Sequence, residues 1–462
     1  ATTLYVKVCS NMVQVKIGNC TINGIHKKNI DVFLGIPYAK SFNKISRFQH
    51  SKLMELSKPM IDATHIQSIP PQPYNSLEDF FSMTDSSFNS FKQNDYCLFL
   101  NIWKPSSNQN HLPVVIYFYG GSFLQGHGTA ELYCPEHIVE QENIIVVTFN
   151  YRLGALGYLD WSYFNQHLNY NNGISDQINV LRWVHQYIEH FGGDPNNVTL
   201  MGQSAGSMSI MTLMQMPELD DYYHKVMLLS GTLTTDTPLN AHTKVQHFSQ
   251  LMRHYFPNKT LKTLNSDDIL YLMESQKIER GRSRGLDLIY QPIKDHHMSR
   301  SIKKFPKPTF MSYTHDEGDI YIEDATRTLP SERFIHLMSQ YGTHVEKNDA
   351  LTMKQQRNVI TEYCFVRPIY LFLNQMNSCD TWLARFDWHQ PHTSYFKSAY
   401  HILDLVFWFG HLSILTKNHY SVTQHDMNLS RNMISDLAYF ARKGKMPWKC
   451  YEPQHQALHI YR

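Results

Sequence analysis

Val198-Thr199-Leu200-Met201-Gly202-Gln203-Ser204-Ala205-Gly206 is the stretch on which the fold turns. Its first four residues form a short apolar run of strand length, and Ser207 to Gln215 beyond it reads as a helix. A strand, a tight turn of G-x-S-x-G form and a helix together make a nucleophile elbow. A turn that tight leaves no room for bulk on either side of the Ser, which is what glycine provides. Strain pushes the Ser hydroxyl outward, where a His can reach it. The N-terminus of the following helix offers backbone N–H groups to a developing oxyanion. An ordinary strand-to-helix turn satisfies the same five letters, so the rest of the chain has to discriminate.

Outward from the elbow, strand-length apolar runs alternate with helix-length periodic segments. Val114 to Phe118 and Ile144 to Phe149 are apolar almost without interruption, as strands of a parallel sheet covered on both faces are. Ile178, Leu181, Val184, Ile188 and Phe191 fall on one stripe of a helix near Asp176 to Phe191. Gly192-Gly193-Asp194-Pro195 ends it. Val226 to Leu229, Thr309 to Tyr313 and Trp382 to Phe386 are further strands, and a helix near Leu429 to Lys443 closes the chain. The pattern predicts an α/β fold with a mostly parallel, twisted central sheet flanked by helices. The segment from Thr232 to Pro308 is more polar, with scattered helical periodicity, and residues 233–308 are expected to form a helical cap-like insertion over the sheet end. No repeat or low-complexity linker divides residues 12–462, which read as a single domain. Regular patterning begins just after Met12, so Met12 is expected to be an alternative or native start and residues 1–11 an extension that adds little.

Composition excludes several classes of partner. The chain has 462 residues, 42% hydrophobic and 18% charged, which suits a globular protein with a large core. A formal net charge of +2, with scattered Lys and Arg, gives no reason to expect nucleic acid or an anionic membrane. No apolar run approaches the roughly 18 residues of a membrane span, and the first residues lack the layout of a signal peptide. The seven cysteines are odd in number and irregularly spaced, with no C-x-x-C. They read as free thiols of a reducing cytosol. The 26 histidines include no H-E-x-x-H, so neither a metal nor another cofactor is expected.

A Ser nucleophile requires a base, an acid to orient the base, and an oxyanion hole. With an elbow the chain order is Ser, acid, His. The strand ending near Thr314 opens onto Asp316-Glu317-Gly318-Asp319, three carboxylates that pattern alone does not separate. After Trp382 to Phe386 come His389, His392 and His401, with His411 further on; His401 stands just before the apolar stretch Ile402 to Phe409. The strand Val114 to Phe118 runs into Tyr119-Gly120-Gly121-Ser122-Phe123, where paired glycines let backbone N–H groups approach a substrate oxygen. Each feature also has a plain reading: a solvated acidic turn, a loop or core histidine, a glycine turn.

Further motifs stand in order along the chain: Phe33-Leu34-Gly35-Ile36-Pro37-Tyr38-Ala39, Asp95-Tyr96-Cys97-Leu98-Phe99-Leu100-Asn101-Ile102-Trp103, Asn150-Tyr151-Arg152-Leu153-Gly154, Asp176-Gln177 and Phe191-Gly192-Gly193-Asp194-Pro195. With the elbow, they make the chain resemble the type-B carboxylesterase family from about Val13 to the C-terminus. That family includes bacterial para-nitrobenzyl esterases, animal carboxylesterases and cholinesterases. The resemblance implies an α/β-hydrolase fold and a serine carboxylesterase that works through an acyl-enzyme on small-molecule esters without a cofactor. The family's D-E-G motif falls on Asp316-Glu317-Gly318 and implies Glu317 as the acid. Its His, ahead of an acidic-apolar stretch ending in F-G, falls on His401. Its oxyanion donors fall on the N–H groups of Gly121, Ser122 and Ala205, and Ser230 aligns with a serine that helps hold the acid.

Two departures from the family pattern carry information. Ser122 stands where a third Gly is common; only its N–H is needed, so a working hole with a tighter acyl entrance is expected. The segment Ile69-Pro70-Pro71-Gln72 lacks the cysteine that secreted animal members pair with the one at Cys97, and Tyr74 to Tyr96 lacks the cholinesterase Trp, having Phe80, Phe81, Phe88 and Phe91. These departures imply an intracellular, bacterial-type esterase rather than a cholinesterase. The alternatives are a non-catalytic adhesion or ligand-binding member of the fold, and a hydrolase of amides, carbamates or lactones.

Overall fold

The computed structural model describes residues 11–83, 88–233, 235–281, 283, 285–376 and 380–462. Of the N-terminal extension expected at residues 1–11, all but Asn11 lies outside them. The described residues form a sheet of twelve strands. In chain order these are β1 (Met12–Ile17), β2 (Cys20–Lys27), β3 (Ile30–Pro37), β4 (Met60–Asp62), β5 (Phe99–Pro105), β6 (Leu112–Phe118), β7 (Ile145–Phe149), β8 (Gly193–Gln203), β9 (Lys225–Leu229), β10 (Thr309–Thr314), β11 (Thr381–Phe386) and β12 (His459–Tyr461). Across the sheet they run β1-β2-β3-β5-β7-β6-β8-β9-β10-β11-β12, with β4 beside β2.

From β7 through β12 every neighbouring pair is parallel. Strands β6, β7, β9 and β10 are buried at every position, which accounts for their unbroken apolar runs. The sheet is therefore the mostly parallel one expected, with strands where the apolar runs lie. At the other side, β1, β2, β3, β5 and β7 are joined antiparallel, an arrangement not anticipated from the pattern. The alternation of β1, Met-Val-Gln-Val-Lys-Ile, is the signature of a half-buried strand. In β3 the register shifts between Phe33 and Ile36, and the break at Gly35 disguises the strand.

Helices flank the sheet. Of these, α1 (Asn172–Tyr187) ends the stripe read between Asp176 and Phe191, whose last residues form a 3-10 turn capped by Gly192 at φ +85°. The elbow helix is α2 (Ala205–Met214). In the polar segment, α3 (Pro238–Tyr255) and α4 (Ser266–Arg280) pack on each other. The closing helix, α5 (Gln424–Lys443), starts on a capping box of Thr423 and Asp426, ends at Gly444, and packs on β6 and β8. Two of the sequence motifs meet as one buried ion pair: the Arg152 guanidinium reaches Asp176 with bonds of 2.8 and 2.9 Å, and both residues are buried. Arg152 also donates to the carbonyls of Arg47 and Gln49, so it ties the chain before the elbow to the first third of the molecule. No helix among the described residues is long and apolar enough to cross a membrane.

Candidate active site

The C-terminal ends of β6, β8 and β10, with the loop after β11, converge on one cavity, as crevices of open α/β sheets do. Ser204 sits between β8 and α2 at φ +56°, ψ −121°. That backbone costs a non-glycine residue about 1–3 kcal/mol. It is held by Ser204 N–H donating to Leu229 O at 2.9 Å and by Met208 N–H donating to Ser204 O at 3.0 Å. A Cβ on Gly202 would lie 2.6 Å from the Gly206 carbonyl carbon, and one on Gly206 would lie 2.0 Å from Phe118 O. Gly206 is thus demanded by the contact of α2 with the end of β6, and Gly202 by the contact of β8 with α2.

Of the three carboxylates after β10, Glu317 reaches His401. It is fully buried; Oε1 accepts the N–H of Thr314 at 2.8 Å and Oε2 lies 2.5 Å from His401 Nδ1. A carboxylate only accepts, so the neutral imidazole carries its hydrogen on Nδ1 and leaves the Nε2 lone pair free. Asp316 has another task. Its N–H donates to Ala399 O at 2.9 Å and its Oδ2 accepts the Ala399 N–H at 3.1 Å, which anchors the loop carrying His401. Asp319 lies 3.9 Å from Arg357.

His401 is buried, with the rings of Tyr321 and Phe365 centred 5.7 and 5.1 Å away. Ile402 beyond it takes φ +82°, a costly value for a β-branched residue, so the histidine loop is strained as the elbow is. The other candidate histidines do not join the site: His389 is exposed on the Asp387 carbonyl, His392 is exposed, and His411 is bonded to Cys134 O with its pKa lowered by burial to about 4.

In this structure the partner of His401 Nε2 is the Gln203 amide nitrogen, at 3.3 Å, and Ser204 Oγ makes no hydrogen bond among the described residues. Resting hydrolases commonly hold this contact loosely and tighten it on substrate. The loop after β6 presents Gly121 at φ +127° and Ser122 at φ +57°. A Cβ on Gly121 would lie 2.1 Å from Gln125 O. Ser122 adopts left-handed backbone without being glycine. Ala205 is the first residue of α2, where N–H groups have no intrahelical partner. Gly121, Ser122, Ser204 and His401 line a cavity of about 310 Å³.

Ser230 directly follows β9, which pairs with the elbow strand β8. Its N–H donates to Ser312 O at 2.9 Å, while its buried Oγ has no hydrogen-bond partner among the described residues. The Glu317 carboxylate is bonded by the Thr314 N–H and by His401. Among the described residues, no group of three or more His, Cys, Asp or Glu side chains is arranged to hold a metal ion.

Three contributors went unread in the sequence. Gln203 is one. Gln72 is another: it is buried, its amide donates to Gly126 O at 3.0 Å, and its oxygen accepts Gly126 N–H at 2.8 Å, which braces the loop behind Gly121 and Ser122. The third is Asp404, whose signal was a lone acid in an apolar run. Burial, with the Glu317 charge adding to it, lifts its carboxyl to about 7. Its folded pKa therefore exceeds the unfolded value of about 3.9, and the folded chain binds more proton between about pH 4 and pH 7. Stability falls as pH rises through that window and stays lowered above it, by on the order of 4 kcal/mol in all. Asp404→Asn is expected to raise the unfolding free energy at pH 8 by about 2–4 kcal/mol and to change it little at pH 4. Urea titrations at the two pH values check this; equal effects at both would contradict it.

With this geometry in hand, similarity to known proteins is informative. The profile described as the Carboxylesterase family matches residues 10–328 and 304–459. The para-nitrobenzyl esterase of Bacillus subtilis is 30% identical over 95% of this chain and 91% of its own length. Human cocaine esterase is 25% identical over 99% of this chain and 87% of its own length. The solved structure of a thermophilic PNB esterase superposes with a TM-score of 0.88 at 27% identity, covering 97% of this chain and 95% of that one.

Proposed function

The chain belongs to the carboxylesterase family and is a carboxylic-ester hydrolase with the α/β-hydrolase fold, and from that premise we propose that Ser204, Glu317 and His401 are its catalytic triad. Ser204 Oγ attacks the ester carbonyl while His401 Nε2 takes its proton. Glu317 keeps the imidazole in the tautomer that leaves Nε2 free, and stabilises the imidazolium once formed. The N–H groups of Gly121, Ser122 and Ala205 bind the tetrahedral oxyanion, each worth about 3 kcal/mol. His401 then protonates the leaving alcohol, and water, activated by the same His, clears the acyl-enzyme.

The observation that carries this reading is the buried pair of Glu317 Oε2 and His401 Nδ1 at 2.5 Å, opening on the cavity that Ser204 lines. A cytoplasmic location belongs to the same reading, supported by the buried, unbridged Cys97. The test is p-nitrophenyl acetate with the purified protein: steady turnover preceded by a stoichiometric burst of p-nitrophenol at low temperature is expected. Failure to form any acyl-enzyme with this activated ester would favour a binding protein on the same fold.

A further inference from the structure

The turn that carries Glu317 and the ring of His401 both rest on one helix, and that helix is irregular. From Met353 to Gln375 the chain is α-helical over Met353–Ile360, π-helical over Thr361–Val366 and α-helical again over Arg367–Gln375. Pro368 is the second residue of the last part. It has no N–H for the carbonyl of Cys364, and in a regular α-turn its ring would clash with that carbonyl. A wider turn makes room for the ring, and Arg367 N–H accordingly donates to Glu362 O, five residues back. Single π turns inside α-helices are frequent at functional sites.

At its first π residue the helix grips the turn of Glu317. Thr361 Oγ1 accepts Gly318 N–H at 2.9 Å and donates to Arg357 O at 3.0 Å. The Gly318 amide belongs to the peptide that follows Glu317, so Thr361 fixes the backbone on which that carboxylate stands. The contact is close: a Cβ on Gly318 would lie 2.1 Å from Arg357 O, which gives the third letter of the D-E-G motif its reason. One turn earlier, Arg357 Nε donates to Ile322 O at 2.7 Å and Nη2 to Glu323 O at 2.8 Å, which holds the far end of the same stretch. One turn later, Phe365 is buried with its ring centred 5.1 Å from His401 and 6.1 Å from Tyr321.

We propose that Thr361 is a positioning residue of this esterase: its hydroxyl holds the turn of Glu317, and the π turn it opens sets Phe365 against the imidazole, so that one helix keeps acid and base in register. The proposal rests on the triad assigned above. Beyond His401, the Glu317 carboxylate is bonded by the Thr314 N–H of β10. Its 2.5 Å contact with His401 therefore depends on where the backbone of the turn lies, and a small misplacement of a reacting group is costly in rate. Valine at 361 would keep the shape of threonine but leave the Gly318 N–H without this acceptor.

The test compares the wild type, Thr361→Val and Thr361→Ser in hydrolysis of p-nitrophenyl acetate and by proton NMR, where the His401 Nδ1–H bonded to Glu317 gives a far-downfield resonance. Thr361→Val is expected to lower kcat by about ten- to a hundredfold with KM little changed, and to shift or abolish the resonance. Thr361→Ser keeps the hydroxyl and is expected to restore both. Thr361→Ala takes the place of the valine variant if that one does not fold. A folded Val or Ala variant with wild-type kcat overturns the proposal. So does one that loses kcat while the resonance stays in place, and so does a Ser variant as impaired as the Val one. A resonance missing from the wild type, or surviving in Glu317→Gln, strikes instead at the pairing of Glu317 with His401, and the proposal falls with it.

Discussion

Ser204→Ala is expected to lower kcat on p-nitrophenyl acetate by 10⁴-fold or more, to whatever the oxyanion donors and binding alone sustain. The substitution removes one oxygen from the side chain at the head of α2. The backbone bonds that hold the elbow, from Ser204 N–H to Leu229 O and from Met208 N–H to Ser204 O, do not involve that oxygen. Alanine meets the same left-handed strain at φ +56° as serine does, so folding stability is expected to stay within about 0.5 kcal/mol of the wild type. Circular dichroism and the urea midpoint check the fold, and initial rates check the chemistry. Retained turnover in a folded variant would show that the ester bond is broken by some other group.

Glu317→Gln is expected to cost nearly as much, about 10⁴ in kcat with KM little changed, by analogy with the acid of other triads. The amide has the size of the carboxylate, and its oxygen can still accept the Thr314 N–H. Its NH₂ then faces His401 Nδ1. A donor there requires Nδ1 to accept, which moves the imidazole hydrogen to Nε2, the atom that must take the serine proton. Asp316→Asn supplies the contrast: its side chain bonds the Ala399 N–H rather than the histidine, so a loss below about tenfold is expected from loosening one loop contact. Kinetics of the two variants side by side separate an orienting carboxylate from a supporting one. Equal losses would contradict the assignment of Glu317.

The contrast between these neighbours marks how far the residues could be read as letters. The elbow was legible because its local strain demands a written signature, glycines at 202 and 206 packed against Phe118 and each other. The parallel strands were legible because burial on both faces leaves continuous apolar runs. Asp316, Glu317 and Asp319 were not separable by pattern, since what distinguishes them is a bond across 84 residues of chain to His401. The antiparallel strands β2, β3 and β5 hid behind Gly, Asn and Pro residues and a bulge. Gln203 and Gln72 carry no periodicity, and each acts through a pair of atoms that meet only in the fold. The hydroxyl of Ser230 makes no hydrogen bond among the described residues.

The central claim is that Ser204 forms the acyl-enzyme. A para-nitrophenyl dialkyl phosphate, incubated in slight excess with the native protein, phosphorylates an activated serine and releases p-nitrophenol. Intact-mass spectrometry followed by peptide mapping reads the stoichiometry and the site. The expected result is one dialkylphosphoryl group per chain, located on Ser204, with esterase activity lost in proportion to the label. A label on any other residue, or full activity in a chain labelled at Ser204, would contradict it.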